Sequence, residues 1–231
     1  MRAFIVATVK PWNVYAYRNF ISKLPGSWYL VTDQDSLSID LIKKINPDYI
    51  FFPHWSWRIP EEIFQEVPCI IFHETDVPFG RGGSPIQNLI ERGYEKTVVS
   101  ALKATQGLDE GPVYLQKPLS LHGTAEEIYN RAAGVIAEMI EEIISKEIEP
   151  TKQKGEALVF SRRTPGQSEL PSDGESLWSV YNHIRMMDAE TYPRAFIDYG
   201  NLKLVLKNPV MRTGKIEAIV EIVEKRKESD D

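Results

Sequence analysis

Cys69-Ile70-Ile71-Phe72-His73-Glu74-Thr75-Asp76 is the stretch that decides the fold. An apolar run stops abruptly at polar residues; then come Pro78, a basic glycine-rich turn at Arg81-Gly82-Gly83, and a new apolar pattern from Pro85. A short apolar run bounded by turn residues predicts a fully buried strand. Here that strand delivers His73 to its end, and a loop and a helix follow. Ligands in open α/β sheets sit beyond the carboxyl ends of strands, so a titratable histidine there marks a candidate site.

Working outward, residues 3–8 predict a buried first strand broken by Pro11 and Asn13, and 14–24 have amphipathic helical spacing. A strand at 28–31 precedes a helix over 36–45, with Ser36 or Ser38 as its cap. Residues 49–52 form another buried strand, ending in Pro53-His54-Trp55-Ser56-Trp57-Arg58. Pro60-Glu61-Glu62 then starts a helix with proline in its first turn. Beyond the organising stretch come a helix over 84–92, a strand over 96–105, a tight turn at 107–112 and a strand at 113–118. A long helix spans 124–145, with Glu126 and Glu127 suited to its amino-terminal dipole. This alternation predicts an α/β fold, a doubly wound, mostly parallel sheet over a domain of residues 1–150. The polar stretch 148–155 reads as a linker into a small C-terminal α+β region over 151–231. That region holds a strand at 157–160, a helix at 176–188, strands at 195–199, 202–206 and 216–222, and a frayed KRKESDD tail.

Composition narrows the class. The 231 residues are 42% hydrophobic and 26% charged, enough for an ordinary core. A net charge of −6 argues against a broad nucleic-acid surface, though not against one anionic ligand. The single cysteine, Cys69, excludes an internal disulfide and a multi-cysteine metal site and fits a reducing cytoplasm; no metal is expected. Inside an apolar run it reads as packing. The start lacks a signal-peptide layout and no apolar run reaches membrane-spanning length, so a soluble cytoplasmic protein is expected.

Three features are shared with a known family. The first is His73 with Pro78 five residues on, then Arg81-Gly82-Gly83-Ser84-Pro85-Ile86-Gln87. The second is Gly107-Leu108-Asp109-Glu110-Gly111-Pro112 followed by Val113-Tyr114-Leu115-Gln116. The third is Arg162-Arg163-Thr164-Pro165 with Ser168, then Tyr192-Pro193-Arg194-Ala195-Phe196. In order and spacing, the chain resembles the 10-formyltetrahydrofolate-dependent formyltransferases. That family includes methionyl-tRNA formyltransferase, glycinamide ribonucleotide formyltransferase and the N-formyltransferases of nucleotide-linked amino sugars.

The resemblance implies a chemistry and a site. A formyl group passes from N10 of the folate to an amine through a tetrahedral intermediate with oxyanion character, whose charge and protons the site must manage. In the family this falls to an asparagine, a histidine and an aspartate, which here implies His73 and Asp109 as catalytic residues, Asp109 orienting His73. The asparagine position, two residues before the histidine, is Ile71, which donates nothing. Loss of one such donor costs roughly two to three powers of ten in rate elsewhere. Three readings stand open: His54, Thr75 or Asn88 supplies the donor, the chemistry tolerates its loss, or catalysis has been lost. His54, which also ends a parallel strand, is the preferred substitute.

The resemblance sets the co-substrate, 10-formyltetrahydrofolate, against Trp55, Trp57, Arg58 and Ile59 and against Thr105, Gly107 and Leu108. The amine substrate is expected near Thr75, Asp76, Arg81, Gly82 and Gly83 and near Lys10 in the loop after the first strand, a loop that reads equally as packing on the next helix. Each residue also has a plainer reading: His73 as a buried structural histidine, Asp109 as a turn residue, the tryptophans as packing, Arg81-Gly82-Gly83 as an ordinary turn, and His122 and His183 as surface or helix residues.

The tRNA enzymes carry a full C-terminal barrel, whereas this chain is short and acidic, and the glycinamide ribonucleotide enzymes lack segments like 162–165 and 192–196. The resemblance is best to the amino-sugar type and implies an amino sugar on a nucleotide as the acceptor, with nucleic acid disfavoured and no membrane partner expected. The helix from Ser176 and the strands after it offer a homodimer face. The alternatives are a catalytically impaired folate or nucleotide-sugar binding protein, and transfer to aminoacyl-tRNA or glycinamide ribonucleotide.

Overall fold

The structure, a computed structural model, describes residues 1–172, 174 and 176–225. In chain order the elements are β1 (Ala3–Ala7), α1 (Pro11–Asn19), β2 (Ser27–Val31), α2 (Ile39–Ile45), β3 (Tyr49–Phe52), α3 (Glu61–Glu66) and β4 (Cys69–His73). Next come β5 (Phe79–Gly82), α4 (Pro85–Glu91), β6 (Lys96–Lys103), β7 (Val113–Ser120), α5 (Ala125–Lys146) and β8 (Leu158–Phe160). The last are α6 (Leu177–Met187), β9 (Phe196–Tyr199), β10 (Leu202–Arg212) and β11 (Lys215–Glu224). They fall into two compact units whose boundary differs from the expected one near 150. The first holds residues 1–85, 96–120 and 129–161; the second holds 86–95, 121–128 and 162 onward.

The first unit is a six-stranded sheet in the order β2-β1-β3-β4-β6-β7. Its first four strands are mutually parallel, as the alternation predicts. β6 runs antiparallel to both neighbours. His73 pairs with Ser100, so β4 ends and β6 begins toward the same end of the sheet. The connection between them makes no crossover of the kind a parallel return requires.

Alternation along β4 sets Cys69, Ile71 and His73 on one face and Ile70 and Phe72 on the other. On the first face Ile5, Ala7, Ile50, Phe52 and Cys69 pack with Leu37, Ile42 of α2 and Ile63 of α3, and Trp55, Ile59 and Ile71 border them. On the second, Phe51 lies 6.4 Å from Phe72, ring centre to ring centre. Elsewhere Trp12 of α1 stacks on Tyr129 of α5 at 4.7 Å.

Several predicted boundaries move for identifiable reasons. α1 begins at Pro11 instead of being delayed by it, because proline is tolerated in a first helical turn, where its missing N–H has no partner to lose. Ser38, not Ser36, caps α2, its hydroxyl accepting from the Leu41 amide at 3.2 Å. Ser36 is held by Asp33. The expected linker is partly structured: Thr151 and Val113 exchange backbone hydrogen bonds of 2.7 and 2.8 Å. The expected turn at Arg81-Gly82-Gly83 is largely strand, since β5 pairs in parallel with β8. A Cβ on Gly82 (φ +98°) would lie 2.4 Å from the Phe160 carbonyl oxygen, so only glycine allows this approach.

In the second unit α6 starts at a capping box between Ser176 and Ser179 and packs against a three-stranded antiparallel sheet, β11-β10-β9. His183 is on the helix as expected but is buried, with Nε2 3.3 Å from the Ser168 carbonyl. Burial lowers its pKa below 6.5. The tail expected to fray lies, from 226 on, outside the described residues. No described helix is long and apolar enough to cross a membrane.

Phe51 is fully buried and its ring borders those of Phe4, Trp28, Tyr49 and Phe72. Phe51→Ala is expected to lower unfolding free energy by about 3–5 kcal/mol, read as a lower denaturant midpoint at unchanged slope.

Candidate active site

His73 ends β4 with 6% of its surface exposed. Its Nε2 donates to the Gly80 carbonyl at 2.7 Å, and its Nδ1 lies 3.6 Å from Asp109 Oδ2. Asp109 arrives by an indirect route. β6 ends with Lys103 opposite Ile70, roughly 10 Å along the strand from His73, so the following segment has to double back along the sheet. Gly111 permits this: a Cβ there would lie 1.7 Å from the Lys103 carbonyl oxygen. Asp109 itself takes a left-handed backbone (φ +53°), which aspartate tolerates better than most residues. Its Oδ2 accepts from the Gly82 amide at 2.9 Å. Three distant segments therefore meet at one carboxylate.

A second buried pair lies alongside. Glu74, 3% exposed, has Oε1 2.5 Å from His54 Nε2. Burial pushes the Glu74 carboxyl up, but His54, by charge and by hydrogen bond, and then the charge of His73 outweigh it, leaving a pKa below 4.5. His54 Nδ1 accepts from Trp12 Nε1 at 3.0 Å and lies 2.9 Å from Asn13 Nδ2. With Nδ1 accepting, Nε2 carries the proton toward Glu74. His54 was expected to present a donor in place of the absent asparagine; instead both of its nitrogens are engaged within the protein.

The other substitutes are engaged as well. The Thr75 hydroxyl donates to the Gly80 carbonyl at 3.2 Å and is fully buried. Asn88 belongs to the second unit, where its Oδ1 accepts from Arg92 at 3.0 Å. Ile71 shares the His73 face and packs on the core beside Phe52. Asp76 accepts from Gln116 at 2.9 Å.

Both segments expected to hold the co-substrate come together: Arg58 Nη2 donates to the Gln106 carbonyl at 3.2 Å. Trp55 lies edge-on to Trp57 at 4.8 Å and Ile59 borders the core. Thr105 bonds the Gly107 carbonyl. Trp57 and Leu108 remain 39% and 68% exposed, so apolar surface is available there.

Arg81, expected near the substrate, turns toward protein groups. Its Nε and Nη2 donate to Gln153 Oε1 at 3.1 and 2.8 Å, and its Nη1 lies 3.4 Å from Glu110. The amides of Gly82 and Gly83 bond Asp109 and Phe160. The Lys10 amide bonds Thr8 Oγ1 where α1 begins. Sequence reading missed Glu74, whose signal was its place in the polar group after β4. It also missed Gln153, which gave none. A separate cavity of about 400 Å³ in the second unit, bordered by Trp178, Asn182, His183 and Met186, includes none of the candidate residues.

Comparison with known proteins agrees with this arrangement. A family described as "Formyl transferase" matches residues 24–144, and one described as "Methionyl-tRNA formyltransferase, C-terminal domain" matches residues 165–223. A solved structure titled methionyl-tRNA formyltransferase from Clostridium thermocellum is 48% identical, with a TM-score of 0.94, over 97% of this chain and 100% of that one. A methionyl-tRNA formyltransferase of Rickettsia massiliae is 27% identical over 169 residues, 71% of this chain and 55% of the relative. The chain thus spans about half the length of that curated relative. A 4-N formyltransferase from Francisella tularensis, 15% identical with a TM-score of 0.68, shares the fold. The amino-sugar acceptor is overturned, because the 48% identical chain carries the methionyl-tRNA description at matching extent. Chain length therefore does not argue against tRNA. With a "Formyl transferase" match over more than half its length and the His73–Asp109 pair inside it, the chain belongs to the formyl transferase family.

Proposed function

We propose that this chain transfers the formyl group of 10-formyltetrahydrofolate to the amine of methionyl-tRNA, with His73 and Asp109 as its catalytic residues. The observation that carries the chemistry is the His73 ring set between the Gly80 carbonyl and the Asp109 carboxylate. The acceptor rests on the 48% identity to the Clostridium thermocellum chain.

The reaction forms a bond from the amine nitrogen to the formyl carbon while the carbonyl electrons move onto oxygen. Collapse breaks the bond from that carbon to N10, N10 takes up a proton, and the amine loses one. Nε2 donates its N–H to the Gly80 carbonyl, so Nδ1 is the ring atom turned toward Asp109. At 3.6 Å the Asp109 contact is longer than a hydrogen bond, and in the proposed reaction Nδ1 is the ring atom that meets the reacting groups. Asp109 lies beside the ring, and the next residue along the chain, Glu74, is a buried carboxylate whose pKa is lowered in part by His73. The exposed apolar surface of Trp57 and Leu108 suits the flat rings of the folate.

The direct test incubates the protein with 10-formyltetrahydrofolate and methionyl-tRNA and follows formyl-methionyl-tRNA and tetrahydrofolate together. His73→Ala and Asp109→Asn should each lower kcat by roughly 10²–10⁴. Wild-type protein that makes no formyl-methionyl-tRNA, or a His73→Ala variant at full rate, would refute the proposal. Restoring an amide donor with Ile71→Asn should raise kcat on the order of tenfold to a hundredfold; an unchanged kcat would mean that another group already serves the oxyanion.

Glu74 supplies a pH test. Its folded pKa is depressed below 4.5, so its stabilising contribution is complete above that pH and is lost as pH falls through the lower folded value. Glu74→Gln should therefore be less stable than wild type at neutral pH, and the two unfolding curves should converge under acid. A gap that stays constant with pH would contradict the charged pair.

A further inference from the structure

Between residues 151 and 159 the chain is exposed at every position but one, Gln153. Its amide uses all of its hydrogen-bonding capacity. Nε2 donates to the Asp109 carbonyl at 2.7 Å and to the Gly111 carbonyl at 2.8 Å. Oε1 accepts from Arg81 Nε and Nη2. The reverse orientation would set oxygen against two carbonyls and NH₂ against a guanidinium, so the partners fix which atom is which. The next residue after Arg81 is Gly82, whose amide holds the Asp109 carboxylate. One side chain thus grips the Asp109 backbone, a left-handed conformation that needs outside support (φ +53°). Through Arg81 it also steadies the strand that holds the carboxylate.

We infer that Gln153, acting through Arg81, is a positioning residue that sets the Asp109 carboxylate against His73, an inference resting on the proposed role of that pair. The chemistry is specific to glutamine. Glutamate would aim a carboxylate oxygen at two carbonyls, methionine would keep the length but lose all four hydrogen bonds, and asparagine is one methylene too short to bridge both sides.

The test combines kinetics with the ring signals of His73, read by NMR on histidine-labelled protein. Gln153→Met should lower kcat roughly tenfold or more, leave the KM for 10-formyltetrahydrofolate within about threefold, and shift the His73 ring signals toward those of Asp109→Asn. Gln153→Glu should do the same, and it keeps the Arg81 contact should Gln153→Met fold poorly. Lys152→Ala, at an exposed neighbour, should match wild type. Above all, Gln153→Met combined with Asp109→Asn should be no slower than Asp109→Asn alone, because a residue that acts only through Asp109 has nothing left to position. Additive losses, or unchanged kcat with unmoved His73 signals, would overturn the inference. Should wild type fail to transfer formyl while Gln153→Met still shifts the His73 signals, the bracket would stand and the proposed reaction would fall.

Discussion

One carboxylate has to be held beside one imidazole, and much of the first unit answers to that requirement. Asp109 and His73 come from segments that the sheet starts out far apart, because β6 runs opposite to β4 and leaves its end near Ile70. The chain returns through a segment so close to β6 that Gly111 admits no side chain. Just before that glycine, Asp109 meets the amide of Gly82, at a place where β5 and β8 also admit no side chain. A charge-assisted N–H to carboxylate bond is among the stronger single contacts a protein makes. Here it joins the strand-end histidine, the returning segment and the glycine-rich strand.

How much of this was legible in the sequence depended on how local the signal was. The buried strands of the first unit could be read because each is a short apolar run that stops at polar residues. His73 and Asp109 could be read because they sit in patterned segments shared with a family. The reversal of β6 could not, since an apolar strand reads the same in either direction. The fate of Arg81-Gly82-Gly83 was hidden too: glycines that suit a turn suit equally a strand crowded by a neighbouring carbonyl. Gln153 was invisible, because its value lies in four hydrogen bonds to Arg81, Asp109 and Gly111, residues of two separate segments, none encoded in the polar run around it.

The acceptor teaches a different lesson. Net charge and length describe the average surface of a chain, whereas recognition of an aminoacylated nucleic acid needs only a local surface and a reachable amine. A chain of the same extent that carries the methionyl-tRNA description outweighs both averages. The place of Ile71 is a narrower case of the same contrast. It lies against Phe52 and the core, so it is a good packing residue where a polar one was looked for, and the polar residues nearby are each held by other partners.

The buried network of Trp12, Asn13, His54 and Glu74 has a topological meaning. In the order β2-β1-β3-β4 the connections leaving β1 and β3 depart to opposite sides, which opens a crevice between these two strands where doubly wound folds receive their ligands. Here the protein occupies that crevice itself. Trp12 and Asn13, just past β1, bond His54 and the Pro53 carbonyl, just past β3. With that crevice filled, the His73–Asp109 pair proposed for the chemistry lies one strand over, at the end of β4, where the histidine is almost wholly buried.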